Sequence, residues 1–124
     1  MANPSKAKGT AAETRVVKYL RSFGIQAERK ALSGAEDQGD LKVVADKVEY
    51  TFEVKAGKQT INPTRKQMDE WVRQTIVEGK NSKRMAILVV ARHGKGPKDY
   101  DVWIPYQGYM VHWYLDDWCE ANKS

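Results

Sequence analysis

The sequence is poor in the residues that form cross-links or soft-metal sites. Cys119 is the single cysteine among 124 residues, which excludes an internal disulfide and a cysteine-based zinc site. The two histidines, His93 and His112, stand 19 residues apart, without the short spacing of paired metal ligands.

Long hydrophobic runs are also missing. The longest apolar run, 85–91, is too short to cross a membrane. The first ten residues, MANPSKAKGT, contain no apolar core of a signal peptide. We therefore expect a soluble, intracellular protein that has no membrane partner.

The composition predicts one folded domain with a basic surface. Hydrophobic residues make up 41% and charged residues 30%, as in a soluble globular protein. Lys and Arg number 21 against 16 Asp and Glu, so the net charge is +5, which favours a polyanionic partner such as nucleic acid. We divide the chain into a flexible basic arm, residues 1–9, and a single domain, residues 10–124.

The stretch 39–55, GDLKVVADKVEYTFEVK, organises the rest of the chain. It predicts two strands, Asp40–Ala45 and Val48–Lys55, joined by a tight turn at Asp46-Lys47. A two-residue turn pairs Leu41 with Phe52, Val43 with Tyr50 and Ala45 with Val48, and all three pairs are apolar. The same register sets Asp40 opposite Glu53 on the other face.

Two carboxylates placed so close need a cation. At ~5 Å and an effective dielectric of about 20, their repulsion is roughly 3 kcal/mol. Lys55, two residues beyond Glu53, can offset part of it. A divalent ion would do so better, because Mg²⁺ binds to one or two carboxylates together with phosphate oxygens.

One helix is predicted before this hairpin in the sequence and another after it. Thr10 opens the first as a T-x-x-E capping box, and Gly24 closes it. Glu13 is either that capping residue or a carboxylate aimed inward at a site. The second helix is predicted over Thr64–Val77, with Gln67 in a capping-box position.

The C-terminal half predicts a buried strand, Lys83–Ala91, a last strand, Tyr100–Ile104, and an aromatic helix, Gly108–Ala121. The aromatic residues of that helix are assigned to the core or a dimer interface rather than to a base-stacking platform. Between the strands, the basic loop 92–98 is either a solvated turn or a phosphate-contacting flap. The element order predicts an α/β fold with a mixed sheet of roughly five strands flanked by helices.

The spacing D-x12-E-x-K from Asp40 to Lys55, with Glu13 upstream, resembles the PD-(D/E)xK nuclease superfamily. Lys8-Gly9, Arg29 and Ser33-Gly34 extend the resemblance to the archaeal-type Holliday junction resolvases and their viral relatives. It covers residues 8 to about 74. The sequence departs from the superfamily pattern at Gly39, where the name-giving proline would stand.

The resemblance implies a restriction-endonuclease-like fold and metal-dependent hydrolysis of phosphodiester bonds. Asp40, Glu53, the Val54 carbonyl and Glu13 would bind Mg²⁺ or Mn²⁺. Lys55 would orient or deprotonate the attacking water, or neutralise the phosphorane, and Gln67 would support the site. The remaining expected residues contact DNA: Lys8, Arg29, Lys30, Ser33, Lys58, Arg92 and Lys95.

The favoured function is a homodimeric endonuclease that resolves four-way DNA junctions, because a symmetric dimer places two sites on opposite strands. Such an enzyme would act in the cytoplasm of a prokaryote, or of the host cell if the protein is viral. Two alternatives remain open: the same nuclease acting on other branched, nicked or single-stranded DNA, and a non-catalytic DNA-binding module.

Overall fold

A computed structural model describes residues 4–30 and 40–124. The described chain contains three α-helices: α1 (Pro4–Ser22), α2 (Arg65–Ser82) and α3 (Leu115–Asn122). It also contains six strands: β1 (Gln26–Arg29), β2 (Leu41–Ala45), β3 (Val48–Lys55), β4 (Met85–Val90), β5 (Asp101–Tyr106) and β6 (Tyr109–Tyr114). No helix in this described part is long and apolar enough to cross a membrane.

The strands form one mixed sheet in the order β1-β2-β3-β4-β5-β6. Only the β3–β4 pair is parallel among these neighbours, because α2 carries the chain back across the sheet between them. Helices α1 and α3 contribute to a large core on one face, and α2 packs on the other face through Trp71. The expected α/β fold is confirmed, with six strands instead of about five.

The β2–β3 hairpin has the predicted register. Leu41 pairs with Phe52, Val43 with Tyr50 and Ala45 with Val48. Both turn residues, Asp46 and Lys47, have positive φ, as a two-residue turn with the twist of a hairpin requires. Register was predictable here because a slip of one residue would expose the apolar set to solvent.

Helix α1 begins earlier than the sequence predicts. It starts at Pro4, so Thr10 lies inside the helix, where its carbonyl accepts a hydrogen bond from Thr14 Oγ1 at 3.0 Å. The predicted capping box at Thr10 and Glu13 is therefore wrong. The expected boundary between a basic arm, residues 1–9, and the domain does not coincide with the start of the helix.

Helix α2 begins where predicted but continues five residues further. Thr64 is its N-cap, and Thr64 and Gln67 form a complete capping box. Gly79 lies beyond the predicted end but within the helix, and a Cβ there would be 3.0 Å from the Ala86 Cβ. The glycine allows α2 to approach β4 closely, and the helix ends instead at Lys83 in a left-handed conformation.

The predicted helix over Gly108–Ala121 is wrong in its first half. Residues 109–114 form the edge strand β6, and only Leu115–Asn122 are helical. Gln107 and Gly108 both have positive φ and turn β5 back into β6. Aromatic residues and valine favour strands, and this preference prevails over the apparent helical spacing.

Trp118 of α3 joins that helix to the sheet. It is 4% exposed, and its ring meets those of Tyr50 and Phe52 edge-on at 5.5 and 5.2 Å. We expect Trp118→Ala to lower the free energy of unfolding by about 3–5 kcal/mol, measured by urea denaturation. Tyr109→Ala is the control: its ring is 77% exposed, so a change within about 0.5 kcal/mol is expected. Equal destabilisation by both variants would contradict this placement of Trp118.

Candidate active site

Asp40 is fixed against the end of β3 by its own backbone and side chain. Its amide donates to the Phe52 carbonyl at 3.0 Å, and its Oδ2 accepts from the Val54 amide at 2.8 Å. Lys30 donates its amide to the Asp40 carbonyl at 2.9 Å, which ties β1 to the same point. The paired ladder of β2 and β3 ends at Leu41, so Asp40 lies just beyond it, beside Glu53 and Val54.

Glu53 and Lys55 project from the last residues of β3. The Glu53 side chain is buried, and its Oε1 lies 3.1 Å from Lys55 Nζ. Lys55 Nζ also donates to Gln74 Oε1 of α2 at 2.9 Å. The second carboxylate oxygen, Glu53 Oε2, is buried without a hydrogen-bond partner among the described residues.

Glu13 reaches the same cluster from α1. Its carboxylate lies 3.8 Å from Arg29 Nη2, and its side chain is 16% exposed. Burial raises the pKa of Glu13; Arg29 opposes this effect and the Glu53 charge adds to it. This electrostatic contact favours the inward carboxylate over the capping residue, the two alternatives left by the sequence.

The cluster strongly perturbs Asp40. Burial, followed by repulsion from Glu53, raises the pKa of Asp40 to about 7, and the Val54 N–H acts in the opposite direction. Glu13 raises the same pKa and Lys55 lowers it, so the four predicted groups interact with one another. Perturbed carboxyl groups gathered in one place are characteristic of functional sites.

The donor set fits a hard divalent cation. Asp40 and Glu53 offer carboxylate oxygens at the carboxyl end of β3, and the unpartnered Glu53 Oε2 is a natural ligand atom. The described residues contain no group of three or more His, Cys, Asp or Glu arranged to hold a metal ion. A site built on two carboxylates therefore leaves positions for main-chain oxygen, water and phosphate, as Mg²⁺ prefers.

The other expected residues have several different environments. Arg29 contacts Glu13, and Lys30 Nζ donates to Thr51 Oγ1 at 2.9 Å. Lys58 and Lys95 are exposed, whereas Arg92 lies 3.5 Å from Asp101. The Lys8 side chain and Ser33 lie outside the described residues, as does Gly39.

Gln67 does not reach the cluster, because its side chain completes the capping box of α2. The glutamine that contacts Lys55 is Gln74, seven residues later. The expectation that Gln67 supports the site is corrected in this respect. Nothing in the one-dimensional pattern distinguishes Gln74 from a solvated residue of α2.

Arg15 is a second residue that sequence reasoning missed. A groove of about 220 Å³ runs between α1 and the loop after β4, directly beyond Lys55. We call it the basic groove; it is lined by Ala11, Arg15, Ala56, Gly57, Ala91, Arg92, His93, Gly94 and Lys95. The larger cavity of about 500 Å³, around Gly24 and Ala45, lies at the opposite end of the hairpin from the carboxylates.

The raised pKa of Asp40 predicts that the metal-free protein is less stable at high pH. The folded state holds the Asp40 proton up to about pH 7, whereas the unfolded chain releases it near 3.8, so stability falls as the pH rises between these values. In EDTA, Asp40→Asn should therefore stabilise the protein by on the order of 2–4 kcal/mol at pH 8 and by clearly less at pH 5.

Thermal and urea unfolding at both pH values measure this difference. Asp69→Asn, which changes an exposed aspartate of α2, is the matched control and should leave stability nearly unchanged at either pH. Identical unfolding of wild type and Asp40→Asn at pH 8 would contradict the proposed burial and repulsion at Asp40.

Two comparisons relate this arrangement to known proteins. The sequence matches the family described as "Phage putative PDDEXK endonuclease" over residues 4–120. The fold is similar to that of Hjc from Archaeoglobus fulgidus, a Holliday junction resolvase from an archaeal hyperthermophile, with a TM-score of 0.58 and 18% identity. That similarity covers 87% of this chain and 89% of the archaeal one. A search among curated proteins finds no significant match.

Proposed function

The chain belongs to the phage PDDEXK endonuclease family, and from that premise we propose that it is a metal-dependent endonuclease that cuts branched DNA. The observation that carries the proposal is the convergence of Asp40, Glu53 and Lys55 at the end of β3, with Glu13 facing them from α1. Among branched DNA substrates, we propose the four-way junction as the preferred one.

Asp40, Glu53 and the Val54 carbonyl would hold Mg²⁺ or Mn²⁺, and Glu13 would add its negative charge to the site from α1. Bound there, the ion would lower the pKa of the attacking water and offset the charge that develops on the phosphate. Asp40 is already oriented for this task, since the Val54 amide fixes one of its oxygens. Glu53 would contribute its Oε2, which is buried and has no hydrogen-bond partner among the described residues.

Lys55 supplies a positive charge beside these carboxylates. Its ammonium group is held between Glu53 Oε1 and Gln74 Oε1, at 3.1 and 2.9 Å. A cation fixed in this way can stabilise charge on a pentavalent phosphate without reorganising during the reaction. It can also hold a water molecule for attack. Gln74 is a positioning residue, because it acts through Lys55.

The basic groove is the proposed path of the DNA backbone towards the carboxylates. Ala56 and Gly57 directly follow Lys55, and Arg15, Arg92 and Lys95 line the same groove. Arg29 adds a positive charge beside Glu13, and Lys30 and Lys58 are further proposed phosphate contacts. Such contacts hold phosphates irrespective of base sequence. This arrangement favours the phosphate-contacting role over a simple solvated turn for the loop after β4.

Cleavage of a synthetic four-way junction and of linear duplexes with the same sequences tests this function. With Mg²⁺ we expect paired, symmetric cuts in the junction, no cutting in EDTA, and no cutting by Asp40→Asn in either condition. Junction affinity of Asp40→Asn should stay near that of wild type, since phosphate contacts dominate binding. Paired cuts would also support a homodimer, to be checked by sedimentation.

The other results would separate the alternatives. Metal-dependent cutting of junction and duplex alike would retain the nuclease and reject junction selectivity. Tight binding without any cutting would favour a non-catalytic DNA-binding module. Full activity of Asp40→Asn would remove Asp40 from the site.

Gln74→Ala and Gln67→Ala form a matched pair on one helix. Gln74→Ala should lower kcat on the order of tenfold to a hundredfold with little change in KM, because Lys55 loses the amide that positions it. Gln67→Ala should cost about 1 kcal/mol of stability through the lost capping box and leave kcat unchanged. Equal effects of the two variants on kcat would contradict the assignment of Gln74.

A further inference from the structure

A second concave site lies on the α2 face of the sheet, between the start of α2 and strands β4 to β6. Its cavity has a volume of about 400 Å³. We call it the aromatic pocket and define it by Arg92, Asp101, Trp103, His112 and Tyr114, which line it together with residues of α2 and the loop before it. The proposed cleavage chemistry does not require these residues, apart from Arg92.

The side chains of the aromatic pocket hold one another in place. Asp101 Oδ1 lies 2.7 Å from His112 Nε2, and its other oxygen lies 3.5 Å from Arg92 Nη1. The His112 ring is packed against Trp103 at a centroid distance of 4.6 Å and meets Tyr114 edge-on at 5.1 Å. The result is a fixed set of ring surfaces beside a guanidinium group.

Strand register connects this pocket to the carboxylate cluster. Glu53, Leu88, Trp103 and His112 form one row across β3 to β6. The neighbouring row consists of Lys55, Val90, Asp101 and Tyr114. Since adjacent strands lie about 4.8 Å apart, Asp101 is roughly 10 Å and Tyr114 roughly 14 Å from Lys55 along the sheet.

Arg92 makes the two sites continuous, because it lines both the basic groove and the aromatic pocket. The rise per nucleotide of a stacked strand is ~3.4 Å, so a strand with a phosphate at Lys55 covers the distance to the pocket within a few nucleotides. Aromatic rings next to a positively charged groove are the arrangement that binds single-stranded nucleic acid.

We propose that the aromatic pocket receives an unpaired nucleobase of the DNA strand whose backbone occupies the basic groove. This inference rests on the proposed nuclease function and specifies its substrate. The base stacks on the rings of His112 and Tyr114, Arg92 holds a neighbouring phosphate, and Asp101 keeps His112 and Arg92 in place. Bases in an intact duplex remain stacked and paired, so the pocket selects DNA with unpaired nucleotides, at an open junction centre or on a single-stranded branch.

Binding in EDTA tests the pocket without cleavage. The probes are a fluorescent oligothymidylate and a strand of equal length whose nucleotides are all abasic, which carries the same phosphates and no bases. Wild type should bind the oligothymidylate about five- to 150-fold more tightly than the abasic strand, the range expected for one stacked base. Tyr114→Ala and His112→Ala should bring this ratio close to one while leaving affinity for the abasic strand unchanged.

Tyr109→Ala is the matched control, since Tyr109 lies on the same strand, points to the opposite face and is largely exposed. It should keep the wild-type ratio. Tyr114→Ala is expected to fold, because the Tyr114 side chain is 48% exposed and makes no capping hydrogen bond to α3.

A ratio near one for wild type, or an unchanged ratio in folded Tyr114→Ala and His112→Ala, would overturn the proposal. Equal losses in these variants and in Tyr109→Ala would also overturn it, because the effect would not belong to the pocket. Failure of the nuclease function is distinguishable: it appears as absent Mg²⁺-dependent cleavage, whereas the binding ratio is measured without metal.

Discussion

The repulsion between Asp40 and Glu53 is the constraint on which the site depends. Both carboxyl groups are largely withdrawn from water, and burial together with the Glu53 charge raises the pKa of Asp40. The fold keeps them together because Asp40 is bonded to the Val54 amide and Glu53 is part of a central strand paired on both sides. Separating the Asp40 and Glu53 carboxyl groups would make the folded state more stable. Their proximity at the end of β3 supports the proposal that a cation binds there.

The rest of the fold supports this end of β3 from several directions. Helix α1 brings Glu13, β1 fixes Asp40 through Lys30, and α2 brings Gln74 to Lys55. The parallel β3–β4 pair places the loop after β4 beside the same strand end, where Ala91 donates its amide to the Lys55 carbonyl at 2.7 Å. Ligand sites of sheets with parallel strands commonly lie at the carboxyl ends of those strands.

One face of the sheet carries both the proposed cleavage site and the aromatic pocket. The rows that begin with Glu53 and Lys55 cross β4 and β5 and end at His112 and Tyr114. A rigid sheet fixes the distance between its two ends, so a DNA strand bound at the carboxylates, as proposed, would have a defined path to the aromatic pocket. The proposed selection for unpaired nucleotides would rest on geometry and stacking, without reading of base edges.

The sequence by itself determined the hairpin, its register and the carboxylate pair, because these depend on residues close in the chain. Period-two alternation and a two-residue turn leave only one register that buries Leu41 against Phe52, and that register brings Asp40 to Glu53. Only the tertiary structure decided that Gln74 contacts Lys55 and that Arg15 lines the basic groove. These contacts join elements far apart in the chain, and their geometry depends on helix packing and strand order, which local periodicity does not encode.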